Sequence, residues 1–237
     1  MTLLAATGLL RERRIIAAPG VEVLAGGGAH ARLEADLDRL APMAAGIISI
    51  GIAGALSPGL RPGDWVVATT VLDGSARFEA DADWAGRLRA RLPGAAAGIV
   101  LGVDAMVADA AAKRALHGES GAVAVDMESH IVARVAQRHG LPMAVARVIS
   151  DAADHTLPPA ARVGMRADGS MDLPAVLRAL LADPRQLPAL IRTGLKAERA
   201  FRALLRGHGL LGPRLAGPRL LGPGPGTDLG QLPLDMA

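Results

Sequence analysis

Acidic residues that directly follow apolar segments are the residues of this chain best placed for chemistry. Asp126 and Glu128 follow one apolar segment, residues 121–125, and Asp151 follows another, residues 143–149. A helical pattern joins the two segments, and a strand–helix–strand unit predicts a pair of parallel strands. Ligands of such sheets bind beyond the carboxyl ends of the strands. We therefore expect these carboxylates to meet at one edge of a sheet.

These carboxylates have a functional interpretation and a plain structural one. Glu128 suits a ribose diol, because a carboxylate offers two acceptor oxygens to two adjacent hydroxyl donors. Asp151, with Asp154 three residues further on, could have a raised pKa in a dry cleft and act as a general acid. Alternatively, Asp126 caps a helix, and Ser150 with Asp151 caps a turn. The sequence leaves both interpretations open.

A further acidic residue, Glu12, lies shortly after the first predicted strand, inside the charged run of residues 11–14. Taken alone, such a run is typical of a solvated surface. Glu12 gains interest only because its segment is expected to reach the same sheet edge as Glu128 and Asp151.

The order of apolar segments predicts an α/β domain with a central, largely parallel sheet. Strands and helices alternate, with glycine or an acidic residue at the strand ends. The predicted strands are residues 3–6, 21–25, 46–50, 64–71, 97–103, 121–125 and 143–149. The predicted helices are residues 30–40, 84–92, 108–116, 127–139, 173–181 and 187–206.

Two glycine-rich segments follow predicted strands. Gly51 and Gly54 come after the third strand, in a predicted loop whose backbone could approach a ligand closely. The uncharged residues 40–60 are long enough to cross a membrane, but their prolines and glycines favour a buried strand. Gly26-x-Gly28 opens the other segment and fits a weak dinucleotide fingerprint. The next strand ends without an acidic residue, which disfavours an NAD-dependent dehydrogenase.

Composition limits the remaining classes of function. The 237 residues are 51% hydrophobic, enough for one full core. A net charge of +3 and four aromatic residues make nucleic acid an unexpected partner. The six histidines never form a spacing typical of a metal site, so we expect no metal. The lack of cysteine fits a cytoplasmic protein, and charges that follow the first apolar residues do not resemble a signal peptide.

The C-terminal third changes in character. The predicted helices of about residues 173–206 are basic and amphipathic, and such helices either lie on anionic lipid or pack on their own domain. We therefore expect one catalytic domain, residues 1–206, with contact to a membrane surface left open. The tail, residues 207–237, is rich in Gly, Pro and Leu and has no period, so we expect disorder.

Four segments resemble the nucleoside phosphorylase and nucleosidase superfamily. They read GIISIGIAGALSPGLRPGDWVVATTV, VDAMVAD, AVDMES and ARVISDAAD, and the resemblance covers residues 2–159. It implies a three-layer α/β/α fold with a central mixed, largely parallel sheet. The segment ISDAADHTLPPA and the basic C-terminal helices are most similar to the hopanoid-biosynthesis-associated branch. That branch implies adenosylhopane as the substrate, losing adenine.

The resemblance also implies roles for single residues. Glu128 would bind the ribose 2′ and 3′ hydroxyls, and Met127 would line the ribose. Asp151 would protonate purine N7, with Ser150 positioning it. Met106 would stand where relatives often place an aromatic ring under the base.

The attacking nucleophile remains open between water and phosphate. Glu12 resembles the nucleosidase carboxylate that activates water, whereas phosphorylases hold phosphate with Arg and Ser where this chain has Ser49 and Ile52. Both points favour hydrolysis, but several arginines, Arg61 among them, lie close in sequence to the same loops. The resemblance implies no resident cofactor, phosphate only as a co-substrate, and a homo-oligomer. The alternative is a non-catalytic nucleoside- or lipid-binding scaffold of the same fold.

Overall fold

The computed structural model describes residues 2–218, except residues 93, 164–165, 167–168 and 171. The greater part of the predicted disordered tail, from residue 219 onward, lies outside these residues. The strands are β1 (Thr2–Thr7), β2 (Val21–Ala25), β3 (Ala44–Ala55), β4 (Trp65–Asp73), β5 (Ala76–Glu79), β6 (Ala96–Gly102), β7 (Ala124–Asp126) and β8 (Met143–Asp151). The helices are α1 (Leu10–Ile16), α2 (His30–Leu40), α3 (Ala82–Arg91), α4 (Ala110–Ser120), α5 (Ser129–His139), α6 (Pro159–Arg162), α7 (Leu173–Ala182) and α8 (Leu187–Leu211).

The strands form one mixed sheet in the order β2-β1-β3-β7-β6-β4-β5. The eighth strand, β8, pairs with both β3 and β4. As a result β3, β7, β6, β4 and β8 pair in a closed ring, from which β1, β2 and β5 extend. Five pairings are parallel and three are antiparallel, which confirms the mixed, largely parallel sheet.

The prediction that the two strands around α5 form a parallel pair is wrong. β7 pairs with β3 and β6, and β8 pairs with β3 and β4. The reason is the length of β3, which pairs with β8 along most of its course and with β7 at its end. Both strands therefore still end beside β3.

The glycine-rich segment after the third strand is not a loop. β3 continues through Gly51 and Gly54, which pair with Arg147 and Asp151 of β8, and Gly54 also pairs with Val125 of β7. Backbone pairing on both sides keeps this glycine-rich segment extended. The uncharged stretch therefore belongs largely to a strand, and none of the described helices is long and apolar enough to cross a membrane.

Helices cover both faces of the sheet. α2 and α5 cover one face, where Leu33 and Leu37 of α2 are buried against apolar residues of α5. The other face is covered by α1, α3 and α8, with Trp84, Leu88 and Leu204 among the buried residues. This arrangement confirms the three-layer α/β/α architecture.

Three elements were not predicted from the sequence: α1, β5 and the short helix α6. α1 forms over the charged run, and its buried residues are Glu12 and Ile16. Because α1 buries a glutamate, its sequence lacks the spacing of apolar residues by which an amphipathic helix is predicted. β5 is a short, mostly exposed strand paired antiparallel with β4 across a turn at Gly74, whose φ is +55°.

The structure also differs from the expected start of the tail at Gly207. α8 continues to Leu211, and the following turn buries Leu215. A Cβ on Gly207 would collide with the Trp65 ring, so this glycine allows the helix to pack closely on β4. The Trp84 indole donates a hydrogen bond to the Leu215 carbonyl at 3.1 Å.

Candidate active site

A fully buried arginine, Arg147 on β8, organises a cluster of buried polar side chains. Its Nε lies 2.6 Å from Asp126 Oδ2, and its Nη2 lies 3.2 Å from Glu128 Oε2. The same Nη2 donates a hydrogen bond to the Ser49 hydroxyl, and the Ser129 hydroxyl lies 3.2 Å from Ser49 Oγ. Arg147 thus ties the ends of β7 and α5 to the middle of β3.

Asp126 stabilises the turn that leads into α5 and is part of this cluster. Its Oδ1 accepts hydrogen bonds from the backbone N–H groups of Glu128 at 3.1 Å and Ser129 at 2.9 Å. Ser129 is the first residue of α5, so Asp126 satisfies one free donor of the helix, but the N-cap position belongs to Glu128 and not to Asp126 as predicted. The turn also orients the chain so that Glu128 points toward Arg147.

Glu12 is buried, and the interpretation of its segment as a solvated charged surface is wrong for this residue. Only 1% of Glu12 is exposed. Its carboxylate accepts backbone hydrogen bonds from Leu9 and Ile52, each at 2.6 Å. Burial raises the pKa of Glu12, and the charge of Arg147 and the backbone donors partly offset this rise.

Gly51 is the position on β3 that admits Glu12. A Cβ on Gly51 would lie 2.5 Å from Glu12 Oε1 and 2.9 Å from Arg147 Nη1. Such distances are shorter than van der Waals contact, so a larger residue would displace one of these side chains. Gly51 therefore holds its predicted place at the site, as a neighbour of the carboxylate.

Glu128 lies close to Glu12, and both carboxylates border Gly8 in the loop between β1 and α1. A Cβ on Gly8 would lie 2.9 Å from Glu128 Oε1 and 3.4 Å from Glu12 Oε2. Burial, opposed by Arg147 and reinforced by the charges of Asp126 and Glu12, raises the pKa of Glu128 to about 8. Two acids with raised pKa values thus lie next to one arginine.

A second cluster surrounds Asp151 at the end of β8. The Ser150 hydroxyl lies 2.6 Å from Asp151 Oδ1 and 3.1 Å from the Ala53 carbonyl oxygen. The other carboxylate oxygen forms an ion pair with Lys113, whose side chain is fully buried. Lys113 also donates to the carbonyl oxygens of Ala152 at 3.2 Å and His155 at 3.1 Å. All three N–H donors of the ammonium therefore have acceptors.

The two clusters lie along the same strand. Gly51 of β3 faces Glu12 and Arg147, and a Cβ on Gly54 would lie 3.4 Å from Asp151 Oδ2. Three residues of a strand span about 10 Å. Glu12 and Glu128 thus form one group beside β3 and Asp151 belongs to another, and a single site shared by the three carboxylates stays a prediction.

The predicted methionines and Asp154 are less closely tied to these clusters. Met127 is partly buried between Asp126 and Glu128, consistent with a place near the sugar. Met106 lies on the loop between β6 and α4 and is 41% exposed. Asp154 is exposed. Among the described residues no contact joins Met106 or Asp154 to the Arg147 cluster.

Two histidines that lack a metal-binding spacing in sequence nevertheless meet in the fold. His30 Nδ1 and His130 Nε2 lie 3.3 Å and 3.1 Å from the same oxygen of Asp104. Burial lowers the pKa of His30. In the part of the chain that the structure describes, no group of three or more acidic, histidine or cysteine side chains is arranged to hold a metal ion.

Sequence reasoning missed the two basic residues that hold the site together. Arg147 interrupts an apolar strand, and a charge in a strand buried on both sides must have a partner. That signal could have identified it. Lys113 follows three alanines in α4 and resembles an ordinary surface lysine in sequence, so only the fold reveals its burial.

The fold is that of the nucleoside phosphorylase-like α/β proteins, with buried carboxylates gathered beside β3. The sequence model of the phosphorylase superfamily matches residues 37–182. The chain therefore belongs to the phosphorylase superfamily.

Solved structures with similar folds are distant in sequence. Futalosine hydrolase of Helicobacter pylori has a TM-score of 0.63 and 17% identity, over 89% of this chain and 97% of that one. The 5′-methylthioadenosine/S-adenosylhomocysteine nucleosidase of the same organism has a TM-score of 0.62 and 18% identity, over 89% and 96%. The corresponding nucleosidase of S. pneumoniae has a TM-score of 0.58 and 18% identity, over 89% and 100%. A comparison with curated protein sequences found no match.

Proposed function

We propose that this protein cleaves the N-glycosidic bond of a 5′-substituted purine nucleoside. The observation that carries the proposal is the pair of buried carboxylate clusters on β3, one around Arg147 and one around Lys113. Cleavage leaves positive charge on the sugar and negative charge on the base, so it needs an anion at one and a proton donor at the other.

On the base side, Asp151 delivers the proton, which the Lys113 ammonium supplies to its carboxylate across their ion pair. The electron pair of the C1′–N9 bond passes to the purine, and a proton delivered to N7 neutralises the developing charge. Such acid assistance is typically worth about 10²–10⁴-fold. Ser150 and Lys113 bind the two oxygens of Asp151 and fix the orientation of the carboxyl group. Gly54 leaves room for it beside the strand.

On the sugar side, Glu128 binds the ribose hydroxyls and Glu12 activates the nucleophile. The raised pKa of Glu12 makes its carboxylate a stronger proton acceptor than an ordinary glutamate, which suits activation of a nucleophile. The negative charges of both residues then stabilise the oxocarbenium-like sugar, an effect that grows in a site shielded from water.

Water is the better supported nucleophile. The backbone N–H groups of Ile52 and Leu9 are occupied by Glu12, and the Ser49 hydroxyl is bonded to Arg147. Groups that could hold a phosphate at this place are thus already used. Water oxygen would bond to C1′ while its proton passes to the Glu12 carboxylate.

For the substrate, we extend the proposal to an adenine nucleoside with a large apolar 5′ group, adenosylhopane. The resemblance to the hopanoid branch supports the hopanoid group, whereas the names of the structural neighbours support only a 5′-substituted adenosine. One similar solved structure is a Helicobacter pylori nucleosidase mutant with 5′-methylthioadenosine in its active site. The same resemblance supports a homo-oligomer.

The test is a product assay by mass spectrometry. The purified protein is incubated with 5′-methylthioadenosine or adenosylhopane, with and without phosphate. We expect adenine from at least one nucleoside, a free ribosyl product, and ¹⁸O at C1′ in labelled water. Ribosyl phosphate as the product would overturn hydrolysis, and adenosine binding without turnover of any nucleoside would favour the scaffold alternative. Asp151→Asn should abolish turnover in a folded protein.

A further inference from the structure

α7 and the first half of α8 carry a row of large apolar side chains that the fold leaves uncovered. No residue of α7 is buried, and Leu181 is 83% exposed. The residues recur every four positions on each helix, which places them on one side of it. We call this surface the leucine face; its members are Leu173, Leu177, Leu181, Leu187, Ile191 and Leu195, each 47–83% exposed.

The packing of the domain does not require this surface. α8 buries its apolar residues only from Ala200 onward, where it lies against the sheet. α7 packs mainly on α6 and on the 3₁₀ turn Pro184–Gln186 that follows it. An amphipathic helix gains stability by burying its apolar side. Rows of exposed apolar side chains of this kind therefore mark a place where something else binds.

Basic residues outnumber acidic ones around the leucine face. Residues 172–196 contain four basic side chains and two acidic residues, Asp172 and Asp183. Arg178, Arg185 and Arg192 are exposed, and none of them forms an ion pair within the described residues. Apolar side chains bordered by arginine are typical of helices that lie in the plane of a membrane surface.

A second copy of the chain would fit this surface less well. A two-fold contact brings the same patch of both subunits together. It would therefore place these arginines opposite one another, and like charges in an interface are unfavourable. We propose that the leucine face docks on an anionic lipid bilayer, with the leucines in the acyl boundary and the arginines at the headgroups.

Gly169, four residues before the first leucine of the leucine face, lies near the candidate active site. The Leu10 N–H donates to the Gly169 carbonyl at 3.2 Å, and a Cβ on Gly169 would lie 2.9 Å from the Gly8 carbonyl oxygen. Gly8 in turn borders Glu128 and Glu12. Docking would thus hold the carboxylates near the bilayer surface. If the proposed function holds, the docked enzyme takes a nucleoside anchored in that bilayer by an apolar 5′ group.

Sedimentation with lipid vesicles tests the docking without reference to catalysis. We expect the full-length protein to pellet with phosphatidylcholine vesicles that contain phosphatidylglycerol, and to pellet less with phosphatidylcholine alone. Leu177→Asp with Leu181→Asp should abolish pelleting. Arg178→Gln with Arg185→Gln should lower the partition coefficient about 30-fold, because each basic residue near an anionic surface adds about fivefold.

Matched controls distinguish docking from other outcomes. Leu205 and Leu210 are as exposed as the leucine face but lie on the far half of α8, so Leu205→Asp with Leu210→Asp should pellet like the wild type. Failure to pellet with either vesicle would overturn the proposal. It would also be overturned if the protein were an oligomer that dissociates on Leu177→Asp with Leu181→Asp but not on Leu205→Asp with Leu210→Asp. Turnover of soluble 5′-methylthioadenosine, measured in parallel, reports on the proposed function separately.

Discussion

At the scale of single residues, the site contains more negative than positive groups. Asp126, Glu128 and Glu12 surround the single charge of Arg147. Burial raises the pKa values of Glu12 and Glu128, so protons offset part of this imbalance in the absence of substrate. A sugar that gains positive charge in the transition state would favour the ionised forms. The cluster is therefore suited to stabilise a sugar that carries positive charge only in the transition state.

Glu128 should make the stability of the protein depend on pH. Its pKa is raised to about 8, so between about pH 4.5 and 8 the folded state holds a proton that the unfolded state releases. The free energy of unfolding should therefore fall as pH rises through this window. The glutamine in Glu128→Gln cannot lose a proton. At pH 9 we expect the free energy of unfolding of this variant, measured in urea, to exceed that of the wild type by on the order of 1–4 kcal/mol. Parallel pH curves for the two proteins would contradict this.

Lys113 should affect both turnover and folding, because it is the ion-pair partner of Asp151. Lys113→Met leaves a buried carboxylate without its partner, which typically costs about 3–5 kcal/mol. For the folded fraction we expect a turnover number at least about 100-fold lower, with KM changed much less, and a displaced pH–rate profile. Lys113→Arg should recover part of the activity.

A double variant separates these two effects of Lys113. Lys113→Met combined with Asp151→Asn removes both charges, so most of the lost stability should return while the enzyme remains inactive. If Lys113→Met alone kept the wild-type pH–rate profile, Lys113 would have only a structural role. Thermal unfolding and steady-state kinetics of the two variants provide both measurements.

At the scale of elements, the course of β3 decides where the carboxylates lie. Its glycines let side chains from α1 and β8 lie directly against the strand. Gly51→Ala should push Glu12 or Arg147 out of place, and we expect turnover to fall about 10²-fold, as misplaced catalytic groups typically cause. Gly86, exposed in α3 with no atom within 4 Å of a Cβ, is the matched control. Gly86→Ala should keep full activity, and its free energy of unfolding should rise by up to about 1 kcal/mol. Equal losses of turnover in both variants would contradict the role of Gly51 in placing Glu12 and Arg147.

Local patterns predicted most elements but not how the strands pair. β2 and α2 were predicted to the residue, because a β-branched run and a leucine period mark them clearly. Strand pairing depends instead on contacts between distant segments. β7 and β8 are neighbours in sequence, yet β3 lies between them in the sheet because it is long enough to pair with both.

The sequence pointed to the acidic residues of the candidate site but not to its two basic residues. Glu12, Glu128 and Asp151 stand in recognisable segments at strand ends or in the first turn of a helix. The roles of Arg147 and Lys113 follow from burial, which a single sequence shows poorly for long, charged side chains. The two charges become informative only when the fold brings carboxylates next to them.

At the scale of the whole molecule, the C-terminal segment closes the outer layer of the fold. After α8, the chain turns back so that Leu215 is buried beside α3. Three donors of α3 bind its backbone: Trp84 to Leu215, Arg87 to Ala216 and Arg91 to Leu211, at 2.8–3.1 Å. These contacts join the last helix to the layer that supports β4 and β8.

Two truncations test where the folded domain ends. A chain ending at Arg206 loses the buried Leu211 and Leu215 and the three hydrogen bonds from α3. Two buried leucines are worth about 3–6 kcal/mol and each hydrogen bond about 1 kcal/mol, a large part of the total stability of a typical domain. We expect this chain to unfold at a much lower temperature or to be insoluble. A chain ending at Pro218 keeps all these contacts and should match the full-length protein in calorimetry. Equal melting temperatures for the three chains would show that the contacts of the C-terminal turn with α3 do not stabilise the domain.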